Sequence, residues 1–453
     1  MGRITLHQAA QWCGGRIDPK YKDVTFLGAN NDSRKIEKDQ LFIALQGERD
    51  GHDFVPAALE KGAAAVLCTH CEGDYPAIVV EDTRIALGQI ARGERERVGM
   101  TVVGVTGSVG KSTTKEMIAA ILDTTYRVAK TPANHNNDIG MPMALLSVPE
   151  DTQIAVLEMG MNHFGEIAYL ASIGKPDVAV IVNIGTMHIE HLGSVEGILR
   201  AKLEILEGMS ADGRIILNGD DSLLWNQRDA LNREVVYFGV QNTESYVRAK
   251  AVTQTENGLS FIACAGTEEF AVTLALEGEH YVHDALAAIA VGKALNVSAD
   301  KIEKSLRSFR NMGGRQEIYE KNGYTIIQDC YNAGPESMNA ALSVLGNRAG
   351  RRVAVLGDML ELGVCTDAEH YKIGRVAAKN ADILLSYGPK SERMLYGAVT
   401  GGMSQNQARA FTDKEKLTQV LLQLAKPGDT LLFKGSRGMR MEQILEKFIE
   451  ETT

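Results

Sequence analysis

The segment Thr101-Val-Val-Gly-Val-Thr-Gly-Ser-Val-Gly-Lys-Ser-Thr-Thr114 constrains this chain more than any other. Its apolar, β-branched start reads as a buried strand, and the run from Lys111 to Leu122 reads as a helix. Between them lie Gly107, Ser108, Val109 and Gly110, with Lys111, Ser112 and Thr113 following at once. Strand, glycine loop and helix, with Lys-Ser at the helix start, is the arrangement of a phosphate-binding loop. Glycine lets backbone N–H groups close on phosphate oxygens, and the helix N-terminus adds its positive end. Lys111 would neutralise the β- and γ-phosphates, and the Ser112 hydroxyl would ligate Mg²⁺. A strict Walker pattern needs glycine where Val105 stands; here it is Gly104, so the loop is a variant. The competing reading is an ordinary tight turn that happens to hold a lysine.

A chain of 453 residues is too long for one core and implies about two to four domains. Its net charge of −10 argues against a general nucleic-acid or membrane-surface role, so an anionic substrate needs local basic groups. Only Cys68 and Cys71 of the six cysteines are close in sequence, and reduced structural thiols are the expectation. No stretch reaches membrane-spanning length and the N-terminus lacks the apolar core of a signal peptide, which implies a cytoplasmic protein. No interface stripe stands out, so a monomer is expected.

The expected fold class is α/β in three domains: a small N-terminal α/β unit (1–97), a central unit with a mostly parallel sheet around the phosphate loop (98–311) and a Rossmann-like C-terminal unit without GxGxxG (312–453). In the first unit, Ser33-Arg34 and Asp50-Gly-His52 fall in polar loops at strand ends, where ligands sit, although turn chemistry alone accounts for them. In the second, Asn134 and Asn137 belong to an Asn-rich loop, Thr131 to Pro142, that either makes turns or hydrogen-bonds a sugar or phosphate. Glu158 ends a buried strand that follows the phosphate loop, the place of a Mg²⁺-holding acid, with helix capping as the alternative. His188 lies past the end of the next strand, on the ligand face, and Lys202 on a helix that otherwise reads as solvated. Asn218-Gly-Asp-Asp221 reads as a turn, residues 234–276 as β-hairpins and His280 to Val297 as an alanine-rich helix. In the third unit, a hinge is expected at Met312-Gly-Gly-Arg-Gln316. Polar loops beginning at Asp329, Gly357 and Lys434 line one sheet edge across a cleft from the phosphate loop.

These motifs together resemble the Mur ligase family over nearly the whole chain. Gly104-Val-Thr-Gly-Ser-Val-Gly-Lys-Ser-Thr-Thr is similar to the family's own form of the phosphate loop. Asp32-Ser-Arg, Leu41-Phe-Ile-Ala-Leu and Gly47-Glu-Arg-Asp-Gly-His-Asp-Phe resemble its nucleotide-sugar domain. Asp329-Cys-Tyr-Asn-Ala-Gly-Pro, Leu356-Gly-Asp-Met-Leu-Glu-Leu-Gly and Phe433-Lys-Gly-Ser-Arg-Gly-Met-Arg-Met-Glu442 resemble the branch that adds D-alanyl-D-alanine. Ser386-Tyr-Gly-Pro-Lys390 lacks the Asp-Asn-Pro-Arg signature of the branch that adds diaminopimelate or lysine.

The resemblance implies an ATP-dependent amide ligase that uses Mg²⁺ and joins D-alanyl-D-alanine to UDP-MurNAc-tripeptide through an acyl phosphate. It implies metal roles for Ser112, Glu158, His188 and a carbamylated Lys202, and ATP contacts for Arg315, on the phosphates, and Asp329, on the ribose. It puts Ser33, Arg34, Asp50 and His52 at the uridine end, and Tyr331, Asn332 and Lys434 on the dipeptide side. Two departures stand out. Asp284, in His280-Tyr-Val-His-Asp284, replaces an asparagine that lies near the adenine in relatives, and Gly334 replaces a frequent asparagine. Another amide ligase of the same build, or a phosphate-loop switch, are the rival readings.

Overall fold

The computed structural model describes residues 2–133, 135–255, 258–311 and 313–453. Among these residues four sheets organise the chain. Ile4–Thr5 pairs antiparallel with Thr25–Phe26, and a four-stranded parallel sheet follows in the order Ala29–Asn30, Leu41–Ile43, Ala65–Cys68, Ala77–Val79. Helix Thr83–Val98 then leads to the central sheet. The Asp82 carboxylate caps its first amides, and Gly99, with φ 70°, ends it.

The central sheet has nine strands, in the order Glu268–Leu274, Gly258–Ala265, Val247–Thr255, Val235–Gly239, Arg214–Asn218, Val178–Ile181, Thr101–Thr106, Ile154–Glu158, Val128–Lys130. Pairing is parallel from Val128–Lys130 through the start of Val247–Thr255, and antiparallel in the last three strands. Both faces are covered, so these strands read as continuous apolar runs whose alternate residues enter different cores. Val102 and Leu157 join one apolar cluster, which extends to Ile4 and Leu41 of the N-terminal unit. Val103, Val105, Val156 and Val180 join another, beneath helices Lys111–Asp123 and His280–Ala294. From Thr101–Thr106 the chain moves to strands on one side and then returns to the other. The phosphate loop therefore sits at the switch point of the sheet, where α/β folds open a crevice.

The last sheet has six strands, in the order Glu317–Lys321, Tyr324–Asp329, Thr430–Lys434, Arg352–Gly357, Ile383–Tyr387, Ala408–Phe411, all parallel except the first pair. Helix Pro335–Gly346 starts right after Tyr324–Asp329.

The three-unit α/β architecture follows the sequence reading, with local differences. Residues 234–276 are not all hairpin, since Val235–Gly239 extends the parallel sheet and only the next three strands form a meander. A short apolar run does not disclose whether its partner is parallel. Helix Gly140–Leu146 begins inside the stretch read as a loop. Strands Val128–Lys130, Glu317–Lys321 and Ala408–Phe411 were not expected. At the expected hinge, Gly313 and Gly314 have positive φ, and Met312 lies outside the described residues.

Candidate active site

The loop after Thr101–Thr106 is shaped by its neighbour strand. Asn183 Oδ1 accepts from the amides of Ser108 (3.1 Å) and Val109 (3.0 Å), and its Nδ2 donates to the Val109 carbonyl. Gly110 heads the helix with φ 82°, and a Cβ there would lie 2.6 Å from Asp284 Oδ1. Only glycine suits that backbone and that space. Lys111 Nζ folds back on the carbonyls of Gly107 (2.7 Å) and Ser108 (3.1 Å). Burial pushes its ammonium below the usual lysine range, Glu158 opposes this and Arg315 adds to it. An arriving anion would favour the charged form, so the lysine is placed for phosphate.

Glu158 is 2% exposed at the end of Ile154–Glu158. Its Oε2 accepts from Ser112 Oγ at 2.6 Å, its Oε1 from Asn136 Nδ2 at 3.0 Å, and Lys115 Nζ lies 3.6 Å away. A hydroxyl and a carboxylate side by side at a phosphate-loop helix are hard-oxygen donors that suit Mg²⁺. His188, with φ 66°, has Nδ1 2.6 Å from Glu361 Oε2, a close contact that is not aligned as a hydrogen bond. His188 in turn holds the Glu361 carboxyl below its usual range. Lys202 is 2% exposed, and burial, with Lys111 nearby, lowers its pKa well below the ordinary value. Among the described residues no three His, Cys, Asp or Glu side chains cluster as a metal site.

The opposite wall comes from the last sheet. Arg315 stacks 3.8 Å over the Tyr331 ring, and Lys434 Nζ donates to Asp329 Oδ2 (2.6 Å) and the Asn332 carbonyl (3.0 Å). These residues, the phosphate loop, Glu158, Asn137, His188 and Asp284 line one cavity of about 470 Å³. Asp284 accepts from Thr114 Oγ1 at 2.9 Å, and burial pushes its carboxyl up to about 7. Nearby, burial pushes His280 down to about 4. His283 Nε2 meets Asp220 Oδ2 at 2.8 Å. Burial alone would raise the Asp220 carboxyl, but His283 and the amides of Val240, Asn242 and Gln241 hold it below the usual range.

The two walls meet at the loop after Val178–Ile181. Gly185 N donates to Ser108 Oγ (2.8 Å), and Thr186 donates through N (2.9 Å) and Oγ1 (3.0 Å) to Glu336 Oε1, on the first turn of helix Pro335–Gly346.

Other expected positions lie apart. Ser33 is buried, while Arg34 is exposed and forks onto Asp32 (2.9 Å to each oxygen). Asp50 bonds His52 at 2.6 Å, and His52 Nε2 accepts from Thr69 N. None of these four lines the cavity. The Gly357 loop is absent from its lining as well. Asp358 instead accepts from Lys390 N. Asn134 lies outside the described residues. Lys202 is buried rather than on a solvated face, because its helix turns that side inward. The Asn218 to Asp221 turn also does more than turn, since Asp220 gathers three amides and His283. Sequence reasoning missed Asn136, Lys115, Asn183 and Glu336, of which only Asn136 lay in a stretch already suspected.

Comparison with known proteins agrees along the full length. Residues 23–95 match the Mur ligase family catalytic domain, 105–292 the Mur ligase middle domain and 314–437 the Mur ligase glutamate ligase domain. UDP-N-acetylmuramoyl-tripeptide–D-alanyl-D-alanine ligase of Bacillus subtilis (strain 168) is 40% identical, covering 99% of each chain. The ligase of the same name from Escherichia coli (strain K12) is 36% identical, with 99% of each chain covered. MurF from Acinetobacter baumannii superposes with a TM-score of 0.92 at 33% identity, covering 99% of each chain. MurF of Thermotoga maritima in complex with ADP gives 0.84 at 31% identity, over 94% of this chain and 98% of that one. With the phosphate loop, the buried acid beside it and the facing C-terminal wall all in place, the chain belongs to the Mur ligase family.

Proposed function

We propose that this protein is an ATP-dependent ligase that joins D-alanyl-D-alanine to UDP-MurNAc-tripeptide, releasing ADP and phosphate and forming the pentapeptide precursor of peptidoglycan. The observation that carries the reading is the single cavity walled by the phosphate loop on one side and by Arg315, Asp329, Tyr331 and Lys434 on the other. A carboxylate does not react with amines at neutral pH, so it must first gain a leaving group. Transfer of the γ-phosphoryl group to the tripeptide carboxylate supplies one, and the amine of the dipeptide then displaces phosphate.

The first barrier is repulsion between a carboxylate and a triphosphate. Lys111 and the amides at the start of helix Lys111–Asp123 offset it. Ser112 and Glu158 would hold Mg²⁺, which supplies charge neutralisation at the phosphates when bound. His188 and a carbamylated Lys202 are assigned to a second metal ion. Arg315, fixed on Tyr331, is assigned to the phosphates, and Asp329 to the ribose. Closure of the cleft would keep away the water that hydrolyses an acyl phosphate.

Residues 1–97 are assigned to the uridine nucleotide, with Ser33, Arg34, Asp50 and His52 as its contacts. Residues 98–311 are assigned to ATP and 312–453 to the dipeptide, with Asn332 and Lys434 facing it. Among the described residues no helix is long and apolar enough to cross a membrane. ATP and a UDP-linked substrate favour action in the cytoplasm, and the protein is taken to act as a monomer.

The test is phosphate release from ATP with UDP-MurNAc-tripeptide, with and without D-alanyl-D-alanine, together with the mass of the product. Release that needs both substrates and a pentapeptide product is expected. Release only with a free diamino acid and the dipeptide-bearing nucleotide would move the enzyme one step earlier.

A further inference from the structure

Among the described residues five acids line the reaction cavity, and their partners differ. Both oxygens of Glu158 are occupied, by Ser112 and Asn136, and both of Asp329, by Gln316 N and Lys434. Glu166 accepts from Asn162 N and faces His163. Asp284 sits beneath the phosphate loop on Thr114. Glu336 is different. Thr186 fixes its Oε1 twice, while its Oε2 is buried and has no hydrogen-bond partner among the described residues. A buried carboxylate oxygen left without a donor is costly and calls for a bound partner.

Its position narrows what that partner is. The carboxyl carbon of Glu336 lies 2.9 Å from where a Cβ on Gly185 would stand, and Gly185 N is bonded to Ser108 Oγ of the phosphate loop. The acid therefore belongs to the C-terminal unit yet reaches the phosphate end of the ATP site. There an acyl phosphate must meet an amine. Lys111, Arg315 and Lys434 supply cationic groups for anionic substrates along the same cavity. The incoming nucleophile arrives as a cation, because an α-amino group titrates near ~8, and of the substrate ammonium groups it is the one that must reach the acyl carbon.

We propose that Glu336 binds the ammonium group of the incoming dipeptide through Oε2 and so sets it beside the acyl carbon; the ammonium passes one proton to that carboxylate, the free amine attacks the acyl carbon, and phosphate leaves as it takes the second proton. The inference rests on the ligase reading above, and the experiment separates the two. Wild type and Glu336→Gln are given ATP and UDP-MurNAc-tripeptide, and the acyl phosphate is captured either by D-alanyl-D-alanine or by hydroxylamine. Hydroxylamine is uncharged near neutral pH and has no ammonium for a carboxylate to hold. Glu336→Gln keeps an acceptor for Thr186 and removes only the charge. The expected result is a tenfold or greater fall in the ratio of amide to hydroxamate, through a higher KM for the dipeptide with KM for ATP unchanged. An unchanged ratio, an equal loss of both products, or a KM effect on the tripeptide nucleotide instead would overturn the inference. If wild type forms neither product, the ligase reading fails and not merely the role of Glu336.

Discussion

Lys115 Nζ rests 3.6 Å from Glu158 Oε2 with both side chains sealed from solvent, at 1% and 2% exposure. Lys115 also donates to the Thr131 carbonyl at 2.8 Å. It is the buried cation closest to the acid assigned to the metal. Removing one partner of a buried pair leaves the other charge uncompensated. Lys115→Met is therefore expected to destabilise the protein by about 3 kcal/mol in denaturant unfolding, and Mg²⁺ with ATP to return part of that loss. A midpoint equal to wild type would show that Ser112 and Asn136 suffice for Glu158.

Asp284 makes stability depend on pH in a defined direction. Burial moves its carboxyl from an ordinary 3.8 up to about 7, so between those values the folded protein holds a proton that the unfolded chain has lost. Its contribution is thus most favourable below pH 4 and declines as pH rises toward 7. Asp284→Asn carries no such proton. The variant should match wild type near pH 4, gain on it through pH 4 to 7 and keep a constant lead above that, of at most about 4 kcal/mol. Chemical denaturation across that range is the check, and a lead that shrinks with pH would contradict it.

Burial first and Lys111 second lower the Lys202 pKa well below the usual value, which favours the neutral amine. Only an uncharged amine adds to carbon dioxide to form a carbamate. Turnover in carbon-dioxide-free buffer should fall at least tenfold and return on adding bicarbonate, while Lys202→Arg should not respond. Turnover indifferent to bicarbonate would remove the carbamate from the mechanism.

Gly185→Ala tests the seam directly. The added methyl would lie 2.9 Å from the Glu336 carboxyl group and 3.1 Å from Ser108 Cβ. Crowding of this kind costs about 1–3 kcal/mol and displaces neighbours. Steady-state assays should show turnover reduced about a hundredfold with only a modest shift in the thermal midpoint. A variant with wild-type kinetics would mean that the loop tolerates spreading.

The phosphate loop was legible because its chemistry is local: two glycines, a lysine and a serine mark it within a few residues. Glu158 was legible because a buried strand ending in an acid follows that loop. Asn136 was harder. In a run of amides no periodicity separates one residue from the next, and it is Asn136, between the two asparagines singled out, that bonds Glu158. Lys115 reads as a helix-surface cation until packing closes both sides of its helix. Glu336 and Asn183 act across 150 and about 75 residues of sequence, a separation no local pattern reports. The missed strands are edge strands. Val128–Lys130, Glu317–Lys321 and Ala408–Phe411 each end a sheet, where half-solvated composition replaces the apolar runs of the interior.

One loop, residues 185–188, answers to two different acids of the last unit: Thr186 to Glu336 and His188 to Glu361. Polar contacts of this length vanish once their atoms part by another ångström or two. The loop is thus held by two acids that belong to the same moving unit. A swing that withdraws the last sheet would part Thr186 from Glu336 and His188 from Glu361 in the same event. Opening of the cleft and release of residues 186 and 188 from the last unit would then be a single motion rather than two steps in series.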